Sequence, residues 1–437
     1  MRNNFAKKLG LSLAAFGLVA TSVFTGSDAQ AVPAFARQTG MACNSCHFQN
    51  FPALNQMGRS FKAGSYSMEG SQASIEGENA MKLPDTLNIG AVLKMRHNKG
   101  SGDYTETGSS MDFGRIDFPD ESALLIGGRA SANAGFLWEV SQTATGPGLL
   151  GSKLSFQAGK VGDIDLLVIP YMTDGQGPTY GFELLNTASL GLQRYSESKV
   201  ASAPVQVGFV DAAAGLDLVA SAPNWYFTFN QWAPVNFPEE NEQAGNLTTM
   251  ATFIRGVFMM DLAGFDTAFG IGMFSGTAQT LDHTHQTAAG KYEAIKVAPA
   301  GSYFDFQMQG DLAGMMTGIY VTSASVPAGS ATADGYTSAV NTFAAGADAD
   351  GNFNAKSASG VAAKISVMPE LSLVVQTGSL DDGSGLGSQS LSDIGVQYMI
   401  AQNIKFEYNI QTTAKANTAG DAYEAYTNNQ MMLFMAF

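Results

Sequence analysis

The most restrictive feature of this chain is a recurring alternation of apolar and polar residues. Leu87, Ile89, Ala91, Leu93 and Met95 alternate with Thr86, Asn88, Gly90, Lys94 and Arg96. Ala134, Phe136, Trp138 and Val140 share one parity, with Glu139 and Ser141 on the other. Ile404, Phe406, Tyr408 and Ile410 stand against Lys405, Glu407, Asn409 and Gln411. A β-strand sends successive side chains to opposite faces. One apolar and one polar face, repeated along the chain, fits a membrane β-barrel with lipid outside and water inside. The reading is an all-β, antiparallel outer-membrane barrel of about 16 strands, within roughly 14 to 18. A soluble β-sandwich also alternates, but rarely over so many strands.

Composition agrees. Only 14 % of the 437 residues are charged, hydrophobic residues are 45 %, and there are 49 glycines. Mean hydropathy is +0.01, as expected when an apolar outer face is averaged with a polar lumen. Disordered chains are poorer in apolar residues and richer in charge. The net charge of −15 excludes a nucleic-acid binder. Two cysteines are too few for a disulfide scaffold.

Arg2, Lys7 and Lys8 precede an apolar stretch from Leu9 to Phe24, followed by Ala29-Gln30-Ala31. That order is a secretory signal peptide cleaved after about Ala31. A membrane anchor is the competing reading, but the run is short and diluted by Thr21, Ser22 and Thr25.

Both cysteines fall in Cys43-Asn44-Ser45-Cys46-His47. This C-x-x-C-H pattern is the c-type haem attachment signature. Each thiol adds to one vinyl group of the porphyrin edge, the two intervening residues let both sulfurs reach it, and the adjacent imidazole meets the iron. A thioredoxin-like site would need a βαβ context. A zinc site would need further ligands. A structural disulfide would not require His47. One covalent haem c is expected, with His47 as proximal ligand. The distal position is left open, with Met57, Met68, Met81 and His97 as candidates.

Segment 1–31 is thus read as signal peptide, 32–81 as the haem segment and 82–437 as the barrel. Short connections are expected near 163, 213–215, 263–264, 368–370 and 402–403. Long ones are expected over 97–121, 223–246, 278–301, 326–352 and 381–389, and the stretch 180–195 is ambiguous. Short turns on one side and long loops on the other are the bacterial outer-membrane arrangement. The chain ends Met431-Met432-Leu433-Phe434-Met435-Ala436-Phe437, which resembles the terminal signal read by the barrel-assembly machinery. The haem segment is too small for a core of its own, so the barrel wall is expected to complete it. Phe48, Phe51, Leu54 and Phe61 are candidates for an apolar shell. Arg37, Arg59 and Lys62 are candidates for pairing with haem propionates or lumen acids.

Residues 33–41, the C-x-x-C-H motif, Phe48-Gln49-Asn50-Phe51-Pro52-Ala53-Leu54-Asn55 and Gly58-Arg59-Ser60-Phe61-Lys62 together resemble the fused monohaem cytochrome–porins of iron-oxidising bacteria. The resemblance covers about thirty residues; over the barrel it is architectural. It implies an outer-membrane Fe(II) oxidase that takes electrons from extracellular Fe(II) and hands them to a periplasmic cytochrome c or similar carrier. It also implies thioether links at Cys43 and Cys46 and iron ligation by His47. Acidic residues expected in outer loops would raise the local Fe²⁺ concentration: Asp112, Asp117, Asp120 and Glu121; Glu239, Glu240 and Glu242. Asp282, His283 and His285 offer carboxylate and imidazole donors suited to iron. Competing functions are a haem-plugged porin for small solutes, a conduit for another donor or acceptor such as sulfur species or a mineral, and a secreted soluble cytochrome.

Overall fold

The computed structural model describes residues 34–70, 72–76, 82–85, 87–101, 105–106, 109–110, 114–143, 146–187, 202–234, 249–286, 292–329, 341–344, 354–383, 388–401, 403–415 and 424–437. Its main body is a closed barrel of sixteen strands, every neighbouring pair antiparallel. In chain order the first eight are β1 Ile89–Ser101, β2 Arg115–Ser131, β3 Ala134–Thr143, β4 Gly146–Val161, β5 Ile164–Thr173, β6 Ala213–Ala222, β7 Trp225–Pro234 and β8 Ala251–Leu262. The rest are β9 Phe265–Ser275, β10 Gly301–Leu312, β11 Met315–Val326, β12 Lys356–Met368, β13 Leu371–Asp381, β14 Gln389–Ala401, β15 Ile404–Lys415 and β16 Glu424–Ala436. The sheet closes where β16 pairs with β1. Phe437 then exchanges two 2.8 Å backbone hydrogen bonds with Ala91.

The two faces of the wall invert the polarity of a soluble protein. Tyr303, Asp305, Gln307 and Gln309 of β10 are buried, while Phe304 of the same strand is 42 % exposed. On β15, Lys405, Glu407, Asn409 and Gln411 are buried and Ile410 is exposed. Leu218, Phe227, Ile271, Val375 and Ile394 likewise stand outward. The alternation sorts side chains as the sequence implies, with charge inside and hydrocarbon outside. Among the described residues, no helix is long and apolar enough to cross a membrane.

The connections follow the two-ended pattern, with corrections. Asp261-Leu262-Ala263-Gly264 and Asp311-Leu312-Ala313-Gly314 make the same hairpin turn twice. The two linking residues of each, Ala263-Gly264 and Ala313-Gly314, have positive φ, which matches the twist of the flanking strands, and the aspartate Oδ1 accepts from the glycine N–H at 3.0 and 2.8 Å. Residues 213–215, expected as a short turn, begin β6 instead. The short turn lies at 223–224, so β7 occupies part of the long connection expected over 223–246. Similarly, Asp117, Asp120 and Glu121 lie on β2, not in an outer loop. Pro119 argues against a strand interior, but a register shift opposite Lys94 and Arg96 accommodates it. Lys94 pairs with Glu121 at 2.5 Å and Arg96 with Asp120 at 2.7 Å, which draws these acids into the wall.

The longest connection, 174–212, has described parts 174–187 and 202–212. They fold inward, with Leu184, Leu185, Val207 and Phe209 buried. The ambiguous stretch after Tyr180 is, as far as residue 187, lumen filling rather than strand. At the long-loop end, Phe209 packs with Phe274 and Phe343 at ring distances of 4.6 and 4.9 Å. Replacing Leu218, at the centre of β6, with Arg is expected to destabilise the inserted barrel by about 2–4 kcal/mol. Chemical denaturation in lipid vesicles reads this directly; an unchanged midpoint would contradict a lipid-facing Leu218.

Candidate functional site

The candidate site is a compact turn between two short helices, α1 Ala34–Thr39 and α2 Gln56–Ala63. Residues Cys43–Ser45 form a single 3₁₀ turn, in which the Cys43 carbonyl accepts from the N–H groups of Cys46 (3.1 Å) and His47 (2.9 Å). The chain then doubles back, so that His47 bridges Leu54 and Phe48 N–H donates to the Ala53 carbonyl at 2.8 Å. Asn55 caps α2 by accepting from Gly58 N–H at 3.0 Å. Its Nδ2 donates back to the carbonyl of Ser45 at 3.0 Å. Gly58 is required here because a Cβ at this position would stand 2.2 Å from the Cys46 carbonyl oxygen. The cap and the close approach fix both sulfurs and the imidazole on one small turn.

The chemistry of this set fits a covalently held haem. Neither Cys43 nor Cys46 is in a disulfide. Burial pushes both thiols up, and Cys43 pushes Cys46 further in the same direction. His47 Nδ1 lies 3.2 Å from the Ala53 carbonyl. A carbonyl only accepts, so Nδ1 carries the proton and Nε2 keeps its lone pair for a metal. Desolvation pulls this imidazole down to about 4, against the weaker opposing effect of its backbone hydrogen bonds, which keeps it neutral at physiological pH. Two thiols and a neutral imidazole of fixed tautomer are the donor set that a c-type haem needs.

The other candidates divide. Met57 and Met68 lie half-buried in the same segment, Met57 on α2 beside Gly58. Met81 lies outside the described residues. His97 is on β1, in the outward set opposite Lys94 and Asn98, and so belongs to the wall rather than to the turn. Phe51 packs edge-on against His47 at 5.2 Å, and Phe48 is buried. Phe61 instead joins Phe35 and Tyr66 in a separate aromatic group. Arg59 meets a lumen acid, Asp266, at 2.6 Å. Arg37 donates to the Ile89 carbonyl. Asp282, His283 and His285 fall on a hairpin strand, Ala278–Gln286, paired with Tyr292–Val297 beyond the barrel. The placement of their side chains lies outside the described residues, as do Asp112, Glu239, Glu240 and Glu242. Among the described residues, no group of three or more His, Cys, Asp or Glu side chains is placed to hold a metal ion.

The wall supplies what the small segment lacks. Gln49 Nε2 donates to the carbonyls of Met316 (2.8 Å) and Lys364 (3.1 Å). Lys364 Nζ donates to Asn50 Oδ1 at 2.8 Å, and Lys405 Nζ to the Phe51 carbonyl at 3.2 Å. Phe51 stacks on Phe434 of β16, with ring centroids 5.3 Å apart. These contacts cluster towards the short-turn end of the lumen.

Between the turn and the long loops stands the inserted stretch after β5. Leu54 and Asn186 clasp the two lumen segments together, through N–H to Oδ1 at 2.8 Å and Nδ2 to carbonyl at 3.0 Å. A fully buried ion cluster holds the insert. Arg255 of β8 donates to Glu183 at 2.7 Å and to Asp305 of β10 at 2.5 Å. One cation faces two carboxylates, and hydroxyls stabilise the surplus charge: Tyr226 Oη donates to Glu183 and Thr187 Oγ1 to Asp305, both at 2.6 Å. Gly270 makes room, since a Cβ there would lie 2.4 Å from Arg255 Nη1. Sequence reasoning does not single out this cluster. Its one available signal is an arginine and an aspartate on the inward parity of strands β8 and β10.

No known family profile and no curated protein matches this chain. Solved structures do. The outer membrane channel DcaP of Acinetobacter baumannii aligns over 80 % of this chain and 97 % of its own, at 11 % identity and a TM-score of 0.52. OprB of Pseudomonas putida aligns over 80 % and 94 %, at 11 % identity and a TM-score of 0.50. The fold is therefore that of an outer-membrane porin, here with its lumen occupied by its own chain. Replacing Arg255 with Met would leave Glu183 and Asp305 buried without their cation. The expected cost is about 3–5 kcal/mol, read as a lower unfolding midpoint of the detergent-solubilised protein. A midpoint equal to that of the unaltered chain would contradict the cluster's role.

Proposed function

We propose that this protein is an outer-membrane cytochrome that oxidises extracellular Fe(II) and passes electrons to a periplasmic cytochrome c or similar carrier. The observation that carries the reading is the Cys43–His47 turn held inside a membrane-type barrel by the barrel's own wall. Bound at Cys43 and Cys46 with His47 on its iron, haem c would supply a site that takes one electron from Fe²⁺, leaving Fe³⁺, and yields one electron to the carrier. The protein's residues do the rest. Ala53 fixes the tautomer of His47. Phe51 and Phe48 place hydrocarbon around the turn, which limits water. The Arg255 cluster and the aromatic group at Phe209 fill the space above it. Such packing keeps the sparingly soluble Fe³⁺ on the outer side. A net charge of −15 favours approach of a cation.

Within this reading the chain is an iron(II) oxidase, exported by its N-terminal signal and inserted by the barrel-assembly machinery into outer-membrane lipid. The second reading, a haem-plugged porin, draws on the channel fold shared with DcaP. The two separate in a planar bilayer. The conduit gives little steady conductance, whereas the solute porin gives a large one. For the chemistry itself, Fe(II) added to the purified, oxidised holoprotein is expected to convert its visible spectrum to the reduced form. No reduction by Fe(II) between acid and neutral pH would exclude the iron-oxidase reading. Reduction by sulfur species alone would move the proposal to another donor.

A further inference from the structure

We infer that Lys364 and Lys405, two lumen lysines of strands β12 and β15, are positioning residues for the turn that carries His47, so that the barrel wall sets the reduction potential of the group this turn holds. The inference rests on the haem reading and deepens it. Between His47 and Leu54 the turn makes few bonds of its own, chiefly Phe48 N–H to Ala53 and Asn50 N–H to Phe48. Its remaining described polar contacts go to Asn186 of the insert at Leu54 and to the wall, where those of Asn50 and Phe51 form a ring. Lys364 Nζ holds Asn50 Oδ1 at 2.8 Å. Asn50 Nδ2 reaches Gln397 Oε1 at 3.4 Å. Gln397 Nε2 donates to Glu407 Oε1 at 2.9 Å, and Lys405 Nζ lies 2.6 Å from the same oxygen. Lys405 closes the ring on the Phe51 carbonyl.

The ring fixes the backbone at Asn50 and Phe51, and the Phe51 side chain bears on His47. Phe51 is braced from behind by Phe434, over whose ring Lys405 Nζ sits at 5.4 Å. Moving either lysine therefore moves the surface against which the imidazole rests. Partners one step removed from a metal ligand orient it and tune its basicity.

Burial stiffens this contact. Lys364 is 1 % exposed and its Nζ reaches Asn50 Oδ1 at 2.8 Å, so solvent does not compete for the bond that holds the turn.

The test uses the full-length holoprotein and three variants: Lys364→Gln, Lys364→Arg, and Lys160→Gln at an exposed position on β4 as control. Spectroelectrochemical titration gives the midpoint potential, and electron paramagnetic resonance of the oxidised form gives the axial geometry at His47. Lys364→Gln is expected to shift the midpoint and change the resonance, Lys364→Arg to restore both towards the unaltered protein, and Lys160→Gln to change neither. A folded, haem-bearing Lys364→Gln protein with unaltered midpoint and resonance overturns the inference. If Lys364→Gln does not fold, Asn50→Ala removes the same contact from the turn side and is judged by the same two outcomes. Absence of covalent haem from the unaltered protein, seen by haem staining of the denatured band, is a different failure. It refutes the haem reading itself.

Discussion

Closure of the sheet is the constraint from which the rest of this structure follows. In hydrocarbon, a strand edge would leave rows of backbone donors and acceptors unsatisfied, so a spanning sheet must join its ends. Here β16 meets β1, and Phe437 completes the seam at Ala91. Closure at sixteen strands creates a lumen too wide for wall side chains alone to fill. This chain fills it with two of its own segments, one from the N-terminus and one from the connection after β5. The enclosed space is where Arg255, Glu183 and Asp305 lie with no solvent exposure. It is also where a turn of a few residues acquires the supporting shell that its short segment could not build.

The wall and the turn are therefore one packed unit. A segment of this size is marginal as an independent fold. Its contacts with Asp266, Met316, Lys364, Lys405 and Phe434 come from strands dispersed along the chain. The barrel thus encloses the turn and, through Phe434 and Phe51, braces one side of its imidazole. The clasp between Leu54 and Asn186 ties this lower segment to the insert above it, so the two are coupled mechanically as well as stacked.

The wall and the compact Cys43–His47 turn were legible in the sequence because each obeys a short-range rule. Alternation at period two sorts Lys405 from Phe406 whatever the rest of the chain does, and C-x-x-C-H sets two thiols and an imidazole within five residues. The lumen filling obeys no such rule. Residues 178–187 have no period to read, since they satisfy their polar groups against distant strands: Asn186 N–H donates to Gln307, and Glu183 to Arg255 is a contact across 72 positions. Pro119 and the acids around it look like loop because the bulge that accommodates them, residues 118–120 of β2 opposite Met95 alone, is defined only by pairing with β1. Lys364 was equally silent. Its partner, Asn50, is 314 positions away.

The central claim is that electrons cross the outer membrane through this protein while iron does not. Its most direct test reconstitutes the holoprotein into lipid vesicles with an oxidised soluble cytochrome c trapped inside and supplies Fe(II) outside. The account predicts that the trapped cytochrome becomes reduced at a rate proportional to the amount of inserted protein, with iron retained in the external medium. Vesicles in which the protein's own haem spectrum responds to Fe(II) but the trapped cytochrome stays oxidised, or in which iron enters with the electrons, would contradict it.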